Sequence, residues 1–113
     1  MKKFTFTIII SLFFSTISVA QTGETELYQK LEKTEARLKT VYEKLEKNLT
    51  GTNKQALMKS QNDWLKFRDS NCNFKSQKES EEGVIANKFY IECKIQTTEI
   101  RIKELTDLWV NEV

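Results

Sequence analysis

Two sets of regularly spaced residues could carry chemistry, and each set has a cysteine at the end that is nearer to the other set in the sequence. Each set recurs at every fourth position: one is Trp64, Arg68 and Cys72, and the other is Cys93, Thr97, Arg101 and Leu105. Residues four apart lie on one face of a helix, so the two sets predict two helices lying side by side. The two thiols could form a disulfide, stay free or share a metal ion.

Residues 1–20 have the pattern of a secretory signal. Lys2 and Lys3 precede an uncharged apolar run that ends in the small residues of a cleavage site. We therefore predict cleavage before Gln21 and a single domain over residues 21–113, which is periplasmic or secreted. An N-terminal membrane anchor is the alternative, but the run is shorter than the roughly 20 apolar residues that span a bilayer. After cleavage we expect no membrane anchor.

We expect no nucleic acid as a partner, because the charge of the chain gives no indication of one. The chain has 18 Lys+Arg and 16 Asp+Glu, and the signal holds two of the lysines and no acid. The mature chain is therefore formally neutral, and its basic pI belongs to the signal. Charge is uneven along the chain: residues 53–75 carry a net +3, and residues 76–83 carry a net −2.

An exported chain with two cysteines favours the disulfide among the three alternatives. Oxidising compartments promote such bonds, and small domains with modest cores often depend on them. With no histidine in the chain, a closed zinc site would lack its usual ligands. In the chain-entropy model a Cys72–Cys93 bond would stabilise the fold by about 3 kcal/mol. We expect no metal and no cofactor.

Helical periodicity and sparse helix breakers predict an all-α fold. The chain has no proline, and its three glycines separate three periodic segments. The segments run over about 24–49, from an N-cap at Thr52 or Asn53 to about 75, and over about 84–110. A polar connection over 76–83 separates the last two. We predict a small antiparallel three-helix bundle stapled by one disulfide between helices 2 and 3.

The disulfide also predicts the register of helices 2 and 3. If they are antiparallel, residues whose numbers sum to about 165 lie at the same height. Arg68 then meets Thr97, Gln61 meets Glu104 and Leu57 meets Leu108. Arg101 lies by the Trp64 ring in a cation–π contact worth around 1 kcal/mol.

The same residues carry a family resemblance over about residues 27–109. The pattern resembles the lysozyme-inhibitor LprI-like family of small exported helical domains, which implies a helical fold and lysozyme inhibition. Two features depart from the family: Lys39 stands where many members have asparagine, and further N-terminal cysteines are absent. We interpret the shared motif as a folding signature rather than an active site. Its residues besides the cysteines are Gln61, Trp64, Arg68, Asp69, Thr97, Arg101 and Leu105.

The sequence argues against an enzyme and for a binding protein. It lacks histidine, a nucleophile context and a phosphate loop, and we expect Asp69 to be an ion-pair partner of Arg68. The partner would be a lysozyme or another envelope protein. Contact could be made by Glu79, Glu81 and Glu82, although a solvated turn is the simpler interpretation.

The alternative function is a structural or stress-related envelope protein without catalysis. A surface for another partner would be marked by exposed aromatic side chains. The candidates are Tyr28, Phe89, Tyr90 and Trp109.

Overall fold

A computed structural model describes residues 19–79 and 83–112. They form three helices, α1 (Val19–Asn48), α2 (Gly51–Glu79) and α3 (Gly83–Glu112), and no strand occurs in these ranges. The predicted all-α fold is confirmed. The predicted secretory signal lies outside the described residues, apart from its last two, which begin α1.

The connection between α1 and α2 is shorter than predicted. Only two residues lie between the helices, and α2 begins at Gly51 instead of after Thr52 or Asn53. Gly51 has a φ of 57°, a left-handed conformation that glycine adopts without the usual steric cost. The Thr50 carbonyl accepts from the Lys54 amide at 3.5 Å, so the first helical turn starts at once. The predicted N-caps were wrong because the glycine reverses the chain one residue earlier.

The predicted polar connection over 76–83 was also too long. Helix α2 continues to Glu79, and α3 begins at Gly83. Ser76 is buried, and its hydroxyl donates to the Asn73 carbonyl at 2.9 Å. A run of polar residues without glycine or proline can stay helical while most of its side chains face water.

Helix α3 packs along both other helices, whereas α1 and α2 make few contacts with each other. Asn87 near the start of α3 donates to Glu24 near the start of α1, so these two helices are parallel. Helix α2 is antiparallel to α3, because Cys72 bonds to Cys93. The result is the predicted antiparallel three-helix bundle, and α3 is the helix that packs against both others.

Buried polar residues divide the core into two apolar clusters. The side chains of Thr34, Arg68 and Thr98 are buried, and we call this group the polar layer. One cluster holds Leu31, Ile91 and Ile95, and the other holds Leu38, Leu45, Leu57, Ile102 and Leu105. The layer therefore interrupts the apolar stripe of each helix at one height.

None of the helices in the described ranges is long and apolar enough to cross a membrane.

Candidate functional site

The disulfide joins α2 to α3 as the sequence predicted. The Sγ atoms of Cys72 and Cys93 are bonded, with their Cα atoms 5.5 Å apart, a separation typical of disulfides. Cys72 is fully buried, and its Sγ lies 3.8 Å from the Thr97 hydroxyl. No free cysteine remains for nucleophilic chemistry in the described chain.

Arg68 lies in the polar layer and makes contacts with all three helices. Its Nη1 donates to Glu35 Oε1 of α1 at 3.0 Å and to Thr98 Oγ1 of α3 at 3.2 Å. Its Nε donates to Asp69 Oδ1 at 2.9 Å, which confirms the predicted ion pair. The predicted partner Thr97 was off by one residue, since Thr97 lies against the disulfide and Thr98 turns into the core.

Trp64 lies against two arginines. The Arg101 guanidinium is 5.8 Å from the ring centroid, and that of Arg68 is 5.4 Å from it. The contact between Arg101 and Trp64 confirms the register predicted from the cysteines. Both arginines pack the aliphatic part of the side chain in the bundle, while their guanidinium nitrogens reach polar acceptors.

Arg101 is held by three side chains around it. Its Nε donates to Gln61 Oε1 at 3.1 Å, its Nη2 to Ser60 Oγ at 3.0 Å, and its Nη1 to Glu104 Oε2 at 3.2 Å. Gln61 and Glu104 are at the same height, as predicted, but Arg101 bridges them in place of a direct contact. Five motif residues are thus linked around the two arginines: Gln61, Trp64, Arg68, Asp69 and Arg101.

The profile of the family described as lysozyme inhibitor LprI matches residues 18–105, most of the chain. The chain belongs to the LprI family. No curated protein and no solved structure matches it. Within this LprI-family chain, the network around Arg68 and Arg101 is what links the motif residues in space.

Asp69 binds two cations at the edge of the network. Besides Arg68, Lys94 Nζ lies 3.8 Å from its Oδ1 and 5.3 Å from the centroid of the Tyr90 ring. Burial raises the pKa of the Tyr90 phenol above its ordinary value, and the nearby Asp69 charge adds to this rise. Arg68, Asp69, Lys94 and Tyr90 therefore form one cluster at the edge of the network.

Sequence reasoning missed Glu35, Ser60, Lys94 and Thr98. Glu35 was seen only as one of many charged residues on the first helix, and its pairing with α2 depends on tertiary packing. Thr98 had one available signal, since it stands between Ile95 and Ile102 on the buried stripe of α3. A polar residue at such a position indicates a buried hydrogen bond.

Leu105 is fully buried and forms part of an apolar groove near the α1–α2 connection. The groove has a volume of about 340 Å³, and Leu57 and Leu108 both line it, in agreement with the predicted register. Arg101 and Ser60 also line it, but their polar atoms are bonded to each other. Asn53 is the further polar residue that lines the groove.

The residues expected to contact a partner are not placed by the structure. Glu81 and Glu82 lie outside the described residues, and Glu79 ends α2 without a described side chain. Among the aromatic candidates, Tyr28 and Phe89 are exposed, whereas Tyr90 and Trp109 are half-buried. Two exposed aromatics were missed: Phe67 and Phe74.

The described residues hold no cluster of three or more His, Cys, Asp or Glu side chains suited to a metal ion. Their polar contacts instead resemble those of a structural network: each arginine of the motif has several acceptors. The arrangement can hold α2 and α3 in a fixed register.

Proposed function

We propose that this chain is an exported inhibitor that binds lysozyme without catalysing a reaction. The observation that carries the proposal is the LprI-family match over residues 18–105. The Cys72–Cys93 disulfide supports export to an oxidising compartment. Membership of a family of inhibitors is consistent with a protein that has no catalytic activity.

The contact segment of the proposal is the acidic connection between α2 and α3. Glu79, Glu81 and Glu82 place negative charge there, which would attract a basic lysozyme. Helix α2 extends to Glu79, and the disulfide ties the two flanking helices together about two to three turns away from the connection.

Inhibition is tested with purified, oxidised residues 21–113 in a lysozyme turnover assay on peptidoglycan. We expect turnover to fall as the protein is titrated, and to fall less at high salt, because salt screens exposed charges. No inhibition of several lysozyme types at micromolar excess would exclude the proposed function.

The contact segment is tested by changing Glu79, Glu81 and Glu82 together to Gln. We expect weaker inhibition with an unchanged melting temperature. The matched control changes three exposed glutamates of α1 to Gln, which alters the net charge equally; these are Glu26, Glu32 and Glu43. If both variants inhibit like the native protein, the contact lies elsewhere while inhibition itself stands.

Export and processing are tested by the intact mass of the protein recovered outside the cytoplasm. We expect the mass of a chain that begins at Gln21 and lacks two hydrogens, one from each bonded thiol. A mass that retains residues 1–20 would contradict the proposed processing.

A further inference from the structure

The outer side of α2 carries a stripe that the bundle does not use. We call the residues Asp63, Phe67, Ser70, Phe74 and Lys78 the outer stripe; they are spaced by four, three, four and four and are all exposed. This spacing places them along one face of the helix. Phe67 and Phe74 are 57% and 65% exposed, although each could bury a large apolar area.

Ser70 lies between the two phenylalanines and is suited to close approach by another helix. Its side chain is small, and its hydroxyl donates to the Phe67 carbonyl at 3.3 Å within its own helix. Burying Ser70 against a partner would therefore leave no hydroxyl without a hydrogen bond. A small residue between two large ones leaves a recess on the helix surface, into which a side chain of a partner helix can pack.

The charges at the two ends of the outer stripe are opposite and symmetrically placed. Asp63 lies four residues before Phe67, and Lys78 lies four residues after Phe74. A two-fold axis next to Ser70 would bring an antiparallel copy of α2 into a register where Phe67 meets Phe74 of the copy. The same axis brings Asp63 to Lys78 of the copy, so each contact occurs twice.

We propose that the outer stripe is a self-association surface through which two copies of this chain pair along antiparallel α2 helices. Four phenylalanines form the centre of the interface, and two Asp63–Lys78 ion pairs flank them, each replacing the ion pair that Asp63 makes with Lys59 of its own helix. The mature chain is formally neutral, but residues 53–75 of α2 carry a net +3, and this local like charge weakens the pairing. The apolar centre is small compared with the roughly 800 Å² per partner of a standard interface, so the dimer is expected to be weak, with a Kd of the order of micromolar.

The dimer is tested by sedimentation equilibrium of oxidised residues 21–113. We expect a monomer–dimer equilibrium, and each of Phe67→Ser and Phe74→Ser should raise the dimer Kd by about tenfold or more. The matched control is Val110→Ser, because Val110 is 60% exposed but lies on α3. Circular dichroism checks that all three variants keep the native melting temperature, as expected for substitutions of exposed side chains.

The antiparallel register is tested by charge reversal. Asp63→Lys and Lys78→Asp should each weaken the dimer, and the combined variant should restore it, because the two charges then exchange places across the axis. Three results would each overturn the proposal. One is a protein that stays monomeric up to about 500 μM, as expected for a Kd in the millimolar range. The others are a dimer that survives the loss of both phenylalanines and a combined variant that fails to regain the dimer.

Discussion

The ion pairs of Arg68 in the polar layer should lose more stability when their carboxylates are removed than when the arginine is removed. The Arg68 side chain is only 5% exposed, whereas those of its partners Glu35 and Asp69 are 43% and 47% exposed. If Arg68 is removed, both carboxylates can be rehydrated. If both carboxylates are removed, a buried cation remains with Thr98 as its acceptor.

We expect Arg68→Met to lower the free energy of unfolding by about 2 kcal/mol, since it loses three charge-assisted or buried hydrogen bonds but keeps an apolar stem. Changing Glu35 and Asp69 together to Ala should cost about 3 kcal/mol, at the low end for stranding a buried charge, because water can partly reach the site. The triple variant should cost little more than Arg68→Met alone, since no charge is then stranded.

Urea unfolding followed by circular dichroism measures all three values, because a domain of this size is expected to unfold in a two-state manner. The variants form a thermodynamic cycle in which the coupling between Arg68 and its two carboxylates should be about 2 kcal/mol or more. Additive losses, with a triple variant near 5 kcal/mol below the native protein, would refute the assignment of Arg68 to these partners.

Three further predictions concern the backbone, the disulfide and an ionisable side chain. Gly51→Ala should destabilise the protein by about 1 kcal/mol, because Gly51 has a positive φ. Gly23→Ala, within α1, should be neutral or stabilising. Both sites have open space for a methyl group, so equal effects of the two substitutions in urea titrations would contradict this reasoning. Changing Cys72 and Cys93 together to Ala should lower the free energy of unfolding by about 3 kcal/mol under non-reducing conditions, and an unchanged melting temperature would show that the bond contributes little. Because the pKa of Tyr90 is raised in the folded state, its contribution to stability is present below pH 10.0 and is lost as pH rises through the folded-state pKa. The Tyr90→Phe variant should therefore lose less stability than the native protein between pH 9 and pH 11, about one unit on either side of the ordinary tyrosine pKa. Urea unfolding at each pH measures the difference.

The helical fold and the pairing of α2 with α3 could be predicted because local signals agreed. Helix breakers occur only near the helix ends, and Cys72 and Cys93 lie symmetrically about the second connection. This symmetry predicted the contact between Arg101 and Trp64, which are 37 residues apart in the sequence. One known bond between two straight helices sets the heights of all their other residues.

Helix ends and side-chain partners could not be predicted to the residue. The turn at Gly51 depends on a backbone angle, and composition alone does not give it. Arg68 reaches Thr98 and not Thr97 because helix rotation, as well as height, decides which neighbour points into the core. The exposure of Phe67 and Phe74 was likewise hidden, since an aromatic residue on a helix can belong to either face until the packing is known.

The polar layer and the disulfide require the same register of α2 and α3. Sliding α3 by one heptad past α2 would bring Ile91 or Leu105 to the height of Arg68, and the guanidinium would lose Thr98 in apolar surroundings. The same slide would carry Cys93 about 10 Å along the axis from Cys72, too far for a bond. The register that gives Arg68 its acceptor on α3 is therefore also the register that brings the two thiols within bonding distance.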